Sequence, residues 1–124
     1  MSLDVKIRQK TLGAYVISCT GRMDSETSPV LEKEVRGLLA KKPRLLALDL
    51  EHLVYMSSAG VRVLIIAHKG MKDAGGRVVL LNVQPQVMKV LEIIQALPGQ
   101  KIFKDMVELD AYLDRMQKKV LEEN

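Results

Sequence analysis

Hydrophobic positions along the chain switch repeatedly between a period of two and a period near 3.6. Val5, Ile7 and Gln9 alternate with Asp4, Lys6 and Arg8, the pattern of a half-buried strand. The turn Thr11-Leu12-Gly13 leads to a second strand over Ala14–Thr20, so the two are expected to form a hairpin. Gly21 to Thr27 reads as a polar loop. Ser28-Pro29 then carries a helix start, with a hydroxyl at the N-cap and proline at the first helical position. The helix is expected to bury Val30, Leu31, Val35, Leu38 and Leu39 and to end in Lys41-Lys42 before Pro43, where cations complement its dipole.

The run Leu45-Leu46-Ala47-Leu48-Asp49-Leu50 is almost continuously apolar, as suits a central strand covered on both faces. A loop over 51–56 leads to Ser57-Ser58-Ala59-Gly60 and a strongly apolar helix from about Ser58 to Ala74, stopped by Gly75-Gly76. Val78-Val79-Leu80-Leu81 is the next buried strand. Pro85 opens a helix with Val87, Val90, Leu91 and Ile94 on its inner face, ended by Pro98-Gly99. Lys101-Ile102-Phe103 has room only for a short strand. Asp105 with Glu108 makes a capping-box-like start for a last helix that buries Met106, Leu109, Leu113, Met116 and Val120. Residues 1–120 then form one domain, and the tail Leu121–Asn124 is expected to fray.

Strands that alternate with helices predict an α/β sandwich. It has a mostly parallel sheet with an N-terminal antiparallel hairpin, flanked by about four helices. The 124 residues suffice for one core without disulfides or metal, since a chain of this size buries about two-thirds of its unfolded surface. With no Trp, one Phe and three Tyr, that core is aliphatic, and stacking platforms for single-stranded nucleic acid are missing. The net charge of +4 is spread over both halves of the chain, which speaks for solubility and against a nucleic-acid partner.

The lone Cys19 excludes an internal disulfide and any multi-cysteine metal site; its apolar context reads as a buried strand position. Asp4, Lys6 and Arg8 interrupt any leader-like apolar run, and the stretch Val63–Ala67 is far short of the ~20 residues that span a bilayer. A cytoplasmic protein without membrane insertion is expected. His52 and His68 stand sixteen residues apart, with no metal-ligand spacing. There is no GxSxG elbow around Ser58, no phosphate-binding P-loop and no GxGxxG after a strand. The chain therefore lacks the inventory of an enzyme, and no metal or cofactor is called for.

What remains is the segment Val54-Tyr55-Met56-Ser57-Ser58-Ala59-Gly60-Val61. Two adjacent hydroxyls stand between a central strand and the start of an apolar helix, at the strand ends where ligands and partners dock in open α/β sheets. By position alone, Ser57 or Ser58 could simply be the N-cap.

The whole pattern resembles the STAS family, the domain of bacterial anti-sigma-factor antagonists. The matching residues are Gly21-Arg22-Met23-Asp24, Leu48-Asp49-Leu50 and the serine segment, followed by Gly75-Gly76-Arg77-Val78-Val79-Leu80 and Val87-Met88-Lys89-Val90-Leu91-Glu92. The family's usual loop is Asp-Ser-Ser-Gly, whose first serine is phosphorylated by a partner that is both serine kinase and anti-sigma factor. Alignment on Gly60 places that acceptor at Ser58, with Ser57 the less favoured candidate. Ser57 stands where the family usually has aspartate, and Ala59 where it has the second serine.

Asp24 matches the family's acidic residue beside the phosphorylation loop, on the partner-binding surface. Met56, Ser57, Ser58, Ala59, Gly60, Val61 and Arg62 are the further candidates for partner contact. The resemblance implies an antagonist that binds the anti-sigma kinase until Ser58 is phosphorylated and, where the modification is reversed, a serine phosphatase as a second partner. STAS domains also serve as constitutive modules in signalling assemblies or on transporter ATPases, and a small-ligand or nucleotide binder is a third reading.

Overall fold

A computed structural model describes residues 2–94 and 101–123. The elements follow in the order β1 (Leu3–Thr11), β2 (Ala14–Met23), α1 (Ser28–Leu39), β3 (Leu45–Met56) and α2 (Ser58–Asp73). They continue with β4 (Arg77–Leu81), α3 (Pro85–Ile94), β5 (Lys101–Phe103) and α4 (Met106–Glu123). The expected fold class is what is found: a five-stranded sheet in the order β1-β2-β3-β4-β5, with β1 antiparallel to β2 and the remaining neighbours parallel. The helix α4 takes in 121–123, which the sequence pattern assigns to the tail. The helix end expected at Pro98-Gly99 lies outside the described residues, as do the side chains of Ile94, Met116 and Val120.

This topology follows from handedness. Each parallel pair is joined by a helix, and right-handed crossovers in a sheet that grows in one direction put those helices on one face. Accordingly α1, α2 and α3 share a core with Ile17, Cys19, Leu46, Leu48, Leu50, Val78 and Leu80 of that face. The opposite face is covered by α4, whose Leu109 and Tyr112 pack with Phe103 against Ala14, Val16, Leu45, Ala47, Val79 and Leu81. The hairpin turn at Leu12-Gly13 needs a left-handed residue, and Gly13 supplies it at φ +80°.

Several boundaries depart from the sequence expectation. The strand β2 runs on to Met23, which is fully buried, so the polar loop shrinks to residues 24–27. Thr27 rather than Ser28 precedes α1, and Pro29 is its second residue. Val30 is exposed, because the buried stripe of α1 is Leu31, Val35 and Leu38 and Val30 lies about 100° from its start. Ile7 and Gln9 are exposed too, since the helical layer reaches the edge strand β1 only at Leu3 and Val5.

The largest difference is β3, which continues through the expected loop to Met56. Its second half extends beyond β4, whose pairing ends at Asp49↔Leu81. Carbonyls left open on that edge are taken at the start of α3: the side chain of Gln84, just before the helix, donates to Glu51 O, and Gln86 Nε2 donates to Val54 O at 3.3 Å. An overhanging strand thus carries residues 55–58 to the top of the molecule.

Candidate functional site

The ends of β2 and β3 are held level by their pairing, Met23 opposite Met56, and by the Ser57 N–H, which donates to Met23 O at 2.9 Å. Both Met side chains are buried and form the seat on which α2 begins. Gly60 completes that seat: a Cβ there would stand 2.8 Å from Met23 Cγ and Sδ and 3.0 Å from Met56 Cγ. Val61 is buried beside them. Met56, Gly60 and Val61, expected at the partner surface, are instead buried in the core beneath the two serines.

The two serines have opposite environments. Ser57 is the N-cap of α2 in extended backbone, but its hydroxyl makes no cap hydrogen bond. Its Oγ is buried without a hydrogen-bond partner among the described residues. Its carbonyl accepts from Gly60 N and Val61 N, closing the first turn. Ser58, the first residue of α2, is exposed. Arg62 is exposed one turn later, and Ala59 is half-buried.

Asp24 lies in the neighbouring loop, and its carboxylate is committed to that loop's geometry. Oδ1 accepts from Glu26 N and Thr27 N, each at 3.0 Å, with the Thr27 hydroxyl at 3.2 Å. The same hydroxyl, in a buried Thr27, donates to Arg22 O at 2.7 Å and accepts from Asp24 N at 2.9 Å. The backbone N–H of Thr27 holds the Asp24 carboxyl below its ordinary range, helped by Glu26 N, the Thr27 hydroxyl and the charge of Arg22, against some desolvation. Asp24 is thus first the brace of the loop that feeds α1.

Sequence reasoning missed Arg22 and Tyr55. They are register partners on the far side of the strands from Met23 and Met56, with the guanidinium 4.2 Å from the ring centroid. The alternation of Arg22 with Met23 and of Tyr55 with Met56 was the available signal. The pair stiffens the strand ends behind the serines.

The histidines are not brought together. His52 is exposed beside Glu51 at 3.8 Å, and His68 lies within α2. Burial, together with the charge of Asp49, pushes the Cys19 thiol up to about 12, so it stays protonated and inert. Among the described residues no group of three or more His, Cys, Asp or Glu could hold a metal, and no helix is long and apolar enough to cross a membrane. Of the two adjacent serines the site therefore offers one exposed hydroxyl, that of Ser58 at the start of α2.

The profile of the STAS domain matches residues 4–109. This chain belongs to the STAS domain family. Over 90 residues it is 33% identical to a candidate anti-sigma factor antagonist, BtrV, of Bordetella bronchiseptica, covering 72% of this chain and 78% of that protein. It is 24% identical over 93 residues to the anti-sigma-B factor antagonist of Listeria monocytogenes, covering 75% of this chain and 82% of that one. Among solved structures it resembles the anti-sigma factor antagonist SpoIIAA in its unphosphorylated form, with a TM-score of 0.72 and 20% identity over 92% of this chain and 98% of that one. The phosphorylated form of SpoIIAA, a Bacillus cell-fate determinant, gives a TM-score of 0.71 at 19% identity over 88% of this chain and 99% of that one. As a STAS domain of this kind the chain is a regulatory binding protein and not an enzyme.

Proposed function

We propose that this STAS domain is an anti-sigma-factor antagonist that docks an anti-sigma factor with serine-kinase activity and is released when Ser58 is phosphorylated. The observation that carries the reading is the contrast between the two hydroxyls, Ser58 exposed at the start of α2 and Ser57 Oγ buried behind it. A kinase reaches the first without unfolding the loop. In the transfer, the Ser58 Oγ–P bond forms as the bond to ADP breaks, and the hydroxyl proton passes to a base of the kinase. The relatives named anti-sigma factor antagonists support the partner class.

The switch needs no refolding. A phosphoserine carries about −1.5 to −2 charges and three strong acceptor oxygens. At the first turn of a helix the free N–H groups and the dipole tolerate that charge. A partner closed over a neutral hydroxyl must instead desolvate a dianion, a cost of several kcal/mol unless it is paired. About 1.4 kcal/mol already weakens binding tenfold. A serine phosphatase restores the docking form. The complex works in the cytoplasm, without nucleic acid or cofactor.

Two measurements test this. Affinity purification from the native host is expected to recover an anti-sigma kinase with the wild type and to lose it with Ser58→Asp. Mass spectrometry after treatment with that kinase and ATP is expected to find phosphate on Ser58; phosphate on Ser57 alone overturns the assignment.

A further inference from the structure

Arg62 follows Ser58 on α2 at the i+4 spacing, which sets two side chains side by side on a helix with Cβ atoms about 5–6 Å apart. Both residues are exposed, and Arg62 makes no ion pair or side-chain hydrogen bond among the described residues. The exposed stripe they begin continues through Ile65, Lys69 and Lys72, and the one carboxylate on α2, Asp73, is its last residue. The Arg62 guanidinium thus has no counter-charge on its own helix within reach, and Ser58, four residues before it, is the position on that helix that can acquire one.

We propose that Arg62 is the intramolecular counter-ion of a phosphate on Ser58, an inference that rests on Ser58 being the phosphoacceptor. The planar guanidinium presents paired N–H donors that match two phosphate oxygens, which a lysine ammonium does not. The order is the favourable one on a helix, with the anion N-terminal to the cation.

The pairing changes what the partner meets. In the unmodified domain the surface around Ser58 offers a neutral hydroxyl and a free guanidinium. After modification both are withdrawn at once, because the new dianion occupies the cation that stood beside it. A partner that uses an acidic or carbonyl acceptor against Arg62 loses that contact in the same event that introduces the phosphate.

The test installs phosphoserine at position 58 during translation, by codon suppression, so that no kinase is involved. The second ionisation of the phosphate is then followed by phosphorus NMR against pH. The wild type is expected to titrate about 0.2–0.4 pH unit below Arg62→Gln at low salt, with Arg62→Lys between them. In about 1 M salt, where the Debye length falls to ~3 Å, the three curves are expected to converge. Coincident curves for wild type and Arg62→Gln at low salt overturn the pairing. Because Arg62 is exposed, the Gln variant keeps the fold, which its circular dichroism verifies. Failure of the host kinase to modify Ser58 leaves these curves unaltered and counts against the proposed function alone.

Discussion

At the scale of single residues, Gly60, Ser57 and Asp24 shape the site from within the chain. Gly60 is a tight point beneath the serines: its missing Cβ is what lets α2 sit on Met23 and Met56. Gly60→Ala is expected to cost about 1–3 kcal/mol by overpacking, read as a lower midpoint in urea unfolding. The Ser57 hydroxyl is buried without a partner, so Ser57→Ala is expected to leave stability unchanged or raise it slightly in the same measurement. Asp24 is different, because its ionised carboxylate is the form that the loop amides bind. Its pKa is depressed in the folded state, so its contribution to stability is complete above the ordinary carboxylate range near 4 and is lost as the pH falls through its lowered value. Thermal melts below pH 4 are expected to separate wild type from Asp24→Ala less than melts at pH 7 do.

Among the elements, β3 decides where the site is. Its first half was legible as a continuous apolar run, because α helices cover both faces there. Its second half read as a loop for a physical reason. The pairing with β2 slips between Ser18 and Thr20 and again between Gly21 and Arg22, so the buried positions run Leu50, Leu53, Met56 and break the period of two. The back face is also open there, leaving Val54 and Tyr55 exposed. The same slips hid the last residues of β2. The starts of the helices, whose period no neighbour can shift, were placed to within a residue, whereas α1 stops short of the expected Lys41-Lys42 and α4 runs three residues past its expected end. Since Gln84 and Gln86 cap the open edge of β3, replacing both with Ala is expected to speed amide hydrogen exchange in residues 52–57 roughly tenfold, with the central strands unaffected.

Taken whole, the molecule keeps its variable point apart from its stable mass. Two apolar cores lie on opposite faces of one sheet, and Ser58 stands outside both, exposed at one end. Ser58→Asp is therefore expected to stay within about 0.5 kcal/mol of wild-type stability while its binding changes. The family was legible from the order of short motifs, and so was the loop that carries the hydroxyls. Which residues of that loop face outward was not, because contact and support alternate along it within single residues. The +4 net charge is spread over the chain, whereas the proposed switch is a change of about two charges at Ser58 alone.

The most direct test is a calorimetric titration of the cognate anti-sigma kinase against the domain with and without phosphate on Ser58. The unmodified domain is expected to bind at least ~100-fold more tightly, equivalent to about 2.7 kcal/mol of the dianion's desolvation cost. Equal affinity for the two forms would contradict the account.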